Sequence, residues 1–250
     1  MKIISIVNQK GGTGKTTTVL NLGTSLADFG KKVLIIDFDP QANATSGLGV
    51  NNLEKTIYEV LSGRASILET LVKIKENLYL IPASENLAGA NIELVNEKDR
   101  ELKLAKILEH NPLDYDFIFI DTPPSLGLLT INSLVASNFV LIPVQAEYYA
   151  LEGLSQLLNT INLIKENLNP NLEILGGVIT MYDERARLSR DVLEELYKNF
   201  PAKIFRTVIS RSVKLAEAPS FGKSVFEYAP KSRGANAYRR LAIEFLHYQR

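Results

Sequence analysis

The residues of this chain best equipped for chemistry are Lys10-Gly11-Gly12-Thr13-Gly14-Lys15-Thr16-Thr17. Glycines in such a run let the backbone turn several N–H groups inward and form a concave anion nest. A helical pattern starting near Lys15 adds unsatisfied donors and the positive end of a helix dipole. Gly11, Gly12, Thr13, Gly14, Lys15, Thr16 and Thr17 therefore read as a cradle for phosphates. Lys15 faces the β- and γ-phosphates and Thr16 ligates Mg²⁺. Aligned on Gly14-Lys15-Thr16, the common spacing G-x-x-x-x-G-K-[ST] expects glycine where this chain has Gln9. A second lysine, Lys10, follows at once.

Three carboxylates complete the set. Asp37 and Asp39 stand two apart at the end of an apolar run, in Asp37-Phe38-Asp39-Pro40-Gln41-Ala42-Asn43. In extended chain they point the same way, and Pro40 forces the chain out of the strand. They can orient Mg²⁺-bound or attacking water, or Asp39 can serve only to hydrogen-bond the backbone of a turn. Phe117-Ile118-Phe119-Ile120-Asp121 is an apolar strand ending in an acid. This is the form in which a carboxylate holds the Mg²⁺ hydration shell.

The elements that must position these groups follow from hydrophobic pattern. Nearly continuous apolar runs at Ile3–Val7, Val33–Asp37, Leu78–Pro82, Phe117–Asp121, Phe139–Val144 and Ile174–Ile179 suit strands buried on both faces of a parallel sheet. Helical periodicity falls at 15–29, 56–61, 66–75, 85–95, 100–109, 127–136, 151–167 and 188–199, and Gly30 is a helix stop. The alternation predicts a doubly wound α/β fold, a mainly parallel sheet with helices on both faces and ligand at the strand C-terminal ends. No linker or repeat divides the 250 residues, so residues 1–250 read as one domain. Tyr238, Leu241, Ala242, Phe245 and Leu246 form the stripe of a terminal helix docked on the core.

The absence of cysteine excludes disulfides, a thiolate nucleophile and cysteine-ligated iron–sulfur clusters. His110 and His247 join no ligand cluster. No signal-like leader is visible and no apolar stretch approaches the ~20 residues of a membrane span, so a cytoplasmic location is expected. Net charge is zero but uneven. Residues 1–182 carry 14 Lys/Arg against 20 Asp/Glu, and residues 183–250 carry 14 against 8. A basic C-terminal region on a nucleotide-binding chain suits an anionic polymer.

The loop K-G-G-x-G-K-[ST] resembles the deviant Walker-A loop of the ATPase superfamily of ParA-type chromosome-partitioning proteins, MinD-type division-site proteins, nitrogenase iron proteins and some small-molecule ligases. The lack of cysteine counts against an iron-protein relative. Asp37-Phe38-Asp39-Pro40-Gln41 resembles the D-x-D-P-Q segment of the partitioning members. Asp121-Thr122-Pro123-Pro124 resembles their Walker B and switch-like segment, and Ser212–Lys223 is similar to their C-terminal segment. The motifs occur in order over nearly the whole chain and match the short chromosomal type, in which no N-terminal operator-binding extension is expected. One departure is Ser210, where the family usually has proline before the arginine of the base-contacting loop.

The resemblance implies an ATP-dependent homodimer in which Lys10 crosses to the neighbour's nucleotide. Lys10, Lys15 and Asp39 then form the catalytic set, and Thr16, Asp37 and Asp121 the metal set. Glu147 matches a position near the dimer interface. It further implies non-specific binding of double-stranded DNA by the ATP dimer, a nucleoid-associated location, and slow hydrolysis stimulated by a ParB-type centromere-binding partner. The cations expected on DNA are Arg206, Arg211, Lys214, Lys223, Lys231 and Arg233. The alternatives are a MinD-like membrane switch, which needs a basic amphipathic helix beyond the core, and a small-molecule ligase, which needs its own substrate pocket.

Overall fold

Strands of this chain bury both faces, and the computed structural model shows how. It describes residues 1–51, 53–111, 113–147 and 150–248. Seven strands, β1 (Lys2–Ile6), β2 (Val33–Asp37), β3 (Val72–Lys75), β4 (Leu78–Ile81), β5 (Phe117–Asp121), β6 (Phe139–Gln145) and β7 (Glu173–Thr180), form one sheet in the order β3-β4-β2-β5-β1-β6-β7. Every pairing is parallel except β3 with β4. Successive residues alternate between two cores, as a pleated strand requires. Ile4, Ile6, Val33 and Ile35 face one side; Ile3, Leu34 and Ile36 face the other.

On the first side lie α1 (Lys15–Asp28), the short α2 (Asn43–Gly47), and, further along the chain, three C-terminal helices. The second side carries α3 (Ile57–Leu61), α4 (Ile67–Thr70), α5 (Leu87–Glu93), α6 (Lys103–His110) and α7 (Leu128–Val135). Beyond them, α8 (Ala150–Asn167) and α9 (Arg187–Asn199) cover Val140, Ile142 and Ile179. The chain then returns alongside β7, with bridges from Ile204 to Gly177 and from Ser210 to Tyr182. It ends in α10 (Val213–Glu217), α11 (Val225–Tyr228) and α12 (Arg233–Tyr248). The terminal stripe docks as expected: Tyr238, Leu241, Ala242 and Phe245 are buried, and the Tyr238 hydroxyl lies 3.1 Å from Thr18 Oγ1 of α1.

One expectation is corrected. Residues 66–75 are not a single helix. The Ser66–Glu69 capping box starts α4, but that helix ends at Thr70 and Val72–Lys75 forms β3. Val72 and Ile74 alternate with lysines, a period of two that suits an edge strand. Asn77, in the left-handed region at φ 61°, helps the chain turn back into β4. An ion pair from Lys75 to Asp28 ties this edge to the end of α1.

Candidate nucleotide-binding site

The glycine-rich loop sits between the end of β1 and the start of α1, held from three sides. Asn8 donates from Nδ2 to the Pro143 carbonyl (2.7 Å) and accepts the Lys10 amide (3.0 Å), fixing the loop's entry to β6. Gln9, at the unusual position, donates to the Gly153 carbonyl at 2.6 Å and ties the loop to α8. The Thr180 hydroxyl at the end of β7 donates to the Thr13 carbonyl at 2.8 Å. Gly12 and Gly14 adopt φ of 74° and 86°, a conformation that strains residues bearing a Cβ. The Thr18 amide donates to the Gly14 carbonyl, so helical bonding begins at the loop's end.

The carboxylates meet because their strands are neighbours in register: Asp37 pairs with Asp121, and Asp121 with Ile6. Asp37 is fully buried. Its Oδ2 accepts the Thr45 amide (2.8 Å) and hydroxyl (2.7 Å), and its Oδ1 accepts the Asp39 amide at 3.3 Å. Burial pushes its pKa up to about 6 against the Thr45 hydrogen bonds. Asp121 is equally buried, and neither of its oxygens has a donor at full hydrogen-bond geometry, although the Thr16 hydroxyl is near enough to favour the charged form. Burial first, and the charge of Asp37 second, raise its pKa well above the carboxylate range; Thr16 and Lys15 oppose this. Lys15 is also buried, its pKa lowered by desolvation against the attraction of Asp121 and Asp39, and its Nζ reaches the Lys10 carbonyl at 3.3 Å.

A cavity of about 520 Å³ opens over these groups, lined by Gly11, Gly12 and Gly14 to Thr17 of the loop, by Asp39, Gln41, Asn43 and Ser46, by Pro124 and Met181, and by Pro219 and Ser220. Asp39 uses Oδ1 to accept the Gln41 amide at 3.0 Å, so the turn reading is part of its environment, while its carboxylate lines the cavity. Lys10 does not line it. Its ammonium pairs with Glu147 at 3.0 Å, and Arg211 stands 3.9 Å from the other Glu147 oxygen. Beside the loop a smaller, largely apolar cavity of about 200 Å³ is bounded by Gly14, Thr17, Met181, Ile209, Ser210 and Tyr238, among others. Met181, left-handed at φ 51°, lines both cavities. The sequence pattern does not mark Met181, Pro219 or Ser220 as site residues: Met181 follows the end of β7, and Pro219 and Ser220 approach only because the chain returns past β7.

A buried carboxylate without a donor at full hydrogen-bond geometry, beside a lysine and a threonine at a helix N-terminus, suits a divalent cation held between protein and phosphate. Among the described residues no cluster of three or more His, Cys, Asp or Glu could hold a metal ion.

The six expected DNA-facing cations are all exposed, but they do not form one group. Arg211, Lys214 and Lys223 lie on the segment bordering the cavity, with Lys231 and Arg233 leading into α12. Arg206 sits apart along β7, where its amide and that of Thr207 donate to Glu244. Lys214 pairs with Glu217 at 2.9 Å.

The sheet order, the loop at its crossing and the acids at the strand ends define a P-loop nucleoside-triphosphatase. A family model described as an AAA domain matches residues 1–174. The chain is 54% identical over 246 residues to the sporulation initiation inhibitor protein Soj of Bacillus subtilis, covering 97% of each, and 49% identical to the chromosome-partitioning ATPase Soj of Thermus thermophilus, covering 97% of this chain and 94% of that one. The chain belongs to the Soj/ParA family of chromosome-partitioning ATPases. Among solved structures it is similar to cobyrinic acid a,c-diamide synthase from Mycobacterium smegmatis with bound ADP and magnesium (TM-score 0.88, 36% identity, 100% and 95% coverage) and to the Pyrococcus furiosus cell-division ATPase MinD (TM-score 0.78, 30% identity, 98% of each). No helix among the described residues is long and apolar enough to cross a membrane.

Proposed function

We propose that this chain is an ATP-driven partitioning switch whose ATP-bound homodimer binds DNA without sequence preference and is released by hydrolysis. The observation that carries the reading is the contrast between the loop's two lysines. Lys15 is buried in its own cavity, whereas Lys10 turns outward to Glu147. An ammonium outside its own cavity, held among the described residues by a half-exposed carboxylate, is available to a second copy's phosphates. Two such lysine pairs repel without ligand, and the roughly four negative charges of ATP reverse the sign.

Thr16 and Asp121 would hold Mg²⁺, with Asp37 behind them orienting Thr45. The ion would neutralise charge on the β- and γ-phosphates. The loop amides bind the phosphates, Lys15 lies against them, and the apolar cavity by Met181 suits a planar base. Asp39 keeps a carboxylate oxygen free of the Gln41 amide to orient water. Asp39 can orient water, but the loop lysines neutralise phosphate charge in the ground state as well as in the transition state, so hydrolysis by the chain alone is slow. A centromere-binding partner of ParB type, together with DNA, would supply the stimulus, and the protein would reside on the nucleoid.

The diamide synthase among its structural neighbours makes a ligase the second reading. Steady-state ATPase of the chain alone, with DNA, with the cognate partner and with both separates them. Slow basal turnover raised by DNA and partner supports the switch. Fast turnover indifferent to both overturns it and favours a metabolic enzyme. DNA binding titrated against salt with ATP, ADP and no nucleotide tests the DNA arm.

A further inference from the structure

The turn that would sense the nucleotide and the cations that would meet DNA lie far apart in sequence, yet the fold presses their main chains together. α2 follows Asp39 closely and is anchored on Asp37 through Thr45. Its Asn43 and Ser46 line the nucleotide cavity. At its end the chain passes Gly47 and Gly49 and meets the turn 219–222. A Cβ added to Gly47 would stand 2.8 Å from Leu20 Cδ1 and 3.5 Å from Pro219 Cβ. One on Gly49 would lie 3.0 Å from the Gly222 carbonyl oxygen, and one on Gly222 would lie 2.6 Å from Gly49 Cα. Both glycines are left-handed, at φ 75° and 64°. Each closes its own turn, Gly49 N–H to the Ser46 carbonyl at 2.9 Å and Gly222 N–H to the Pro219 carbonyl at 3.0 Å.

Contacts between side chains absorb small displacements by rotamer changes; two bare main chains in contact have no such slack, and a close-packed interior transmits the strain. The basic segment is also gripped from behind. The Val225 amide donates to Asn21 Oδ1 of α1 at 2.8 Å, and a Cβ on Gly234 would meet Leu215 Cγ at 2.7 Å. A shift of α2 therefore has a rigid outlet through Gly222 to Lys223 and the residues that follow.

We propose that Gly47, Gly49 and Gly222 form a coupling seam that carries the nucleotide state of the turn after Asp37 to the basic segment from Lys223 to Arg233. The seam itself stands on geometry; only its effect on DNA rests on the function proposed above.

The test is amide hydrogen exchange on the full chain with Mg-ADP and with a Mg-bound non-hydrolysable ATP analogue, read at 43–49 and at 223–228. No residue of 223–228 lines the nucleotide cavity, so a response there is not direct ligand contact. In the wild-type chain both stretches should differ between the two nucleotides. Gly49→Asn keeps a residue tolerant of the left-handed region but inserts a Cβ into the seam. It should retain the response at 43–49 and lose that at 223–228. Gly47→Ala is the milder second variant, since its Cβ meets the flexible end of Leu20, and should shrink the same response. In Gly49→Asn the ATP-over-ADP ratio of DNA affinity should fall about fivefold, the low end of typical coupling, and in Gly47→Ala it should fall by less. A wild-type chain in which 223–228 does not respond overturns the proposal whether or not the variants fold, and so does an unchanged response in either folded variant. Loss of all DNA binding by the wild type, with the amide responses intact, would count against the DNA reading and leave the seam standing.

Discussion

Asp121→Asn should stabilise the nucleotide-free protein while destroying its response to Mg-nucleotide. Asp37 and Asp121 are register partners buried side by side, and burial holds the Asp37 pKa at about 6 against 3.8 for a free side chain. The fold prefers the protonated acid, so its contribution is fully present below the unfolded value near 4 and is lost as pH rises through 6. At ~1.36 kcal/mol per pKa unit, the loss for Asp37 comes to about 3 kcal/mol. Replacing Asp121 by the neutral amide removes the charge facing Asp37 and one buried carboxylate. The desolvation of Asp37 stays while the penalty of the buried Asp121 carboxyl is removed, and the melting temperature at pH 7.5 should rise by on the order of 5 °C. The assay is thermal unfolding of wild type and variant from pH 4.5 to 8, with and without Mg-ADP. The wild type without nucleotide should lose stability between pH 5 and 7, the variant less so. Mg-ADP should stabilise the wild type more at pH 7.5 than at pH 5 and have little effect on the variant. A wild-type profile flat over that interval, or a variant less stable than wild type at pH 7.5, would refute the argument that this pair is a destabilising cation site.

Lys15→Ala should abolish ATP binding measured by calorimetry, since the missing ammonium is the buried one in the cavity. Lys10→Ala should bind nucleotide as a monomer but fail to dimerise with ATP on sizing chromatography; wild-type dimerisation would remove the cross-dimer role. Asp39→Ala should dimerise with ATP and turn it over at least about tenfold more slowly, trapping the closed state; unimpaired turnover in a single-turnover assay would leave Asp39 as a turn residue only. Arg211→Glu with Lys214→Glu should spare ATP binding, weaken DNA binding and lower the slope of log affinity against log salt by about one for each DNA phosphate no longer neutralised. An unchanged slope in the folded double variant would make these two residues solvated surface.

The phosphate cradle was legible because its chemistry is local. Glycines at the turning positions, Lys15 and Thr16 on the first helical turn, and an apolar strand before them suffice without knowledge of any distant residue. The strands were legible for a related reason, since burial on both faces writes continuous apolar runs. β3 was not, because Ser66 and Glu69 carry a genuine helix-start signal and the four-residue strand after it gains its stability from β4 and from the Lys75–Asp28 pair. The far wall of the cavity was hidden for the same kind of reason. Pro219 and Ser220 reach the nucleotide side only because the chain returns along β7 and α10 packs beneath Gly234. The basic C-terminal region was visible as a count, but a count cannot separate Arg206, on its own edge beside Glu244, from the cluster that borders the cavity.

The two lysines of one loop show why the fold must be read together with its charges. Lys15 has already shed most of its water, and the nearby carboxylates offset that cost only in part. The phosphates that complete its environment can come from its own cavity. Lys10 keeps 40% of its side chain exposed, and an ion pair that open to solvent is worth roughly 0–1 kcal/mol. Glu147 therefore holds Lys10 in place without committing it. Removing Glu147 would change stability little, and Lys10 can leave that pair for a stronger anion at small cost. Arg211 shares the same carboxylate at the longer distance of 3.9 Å. Departure of Lys10 toward a second copy's phosphates would thus leave Glu147 to Arg211, the first of the exposed cations on the segment bordering the cavity.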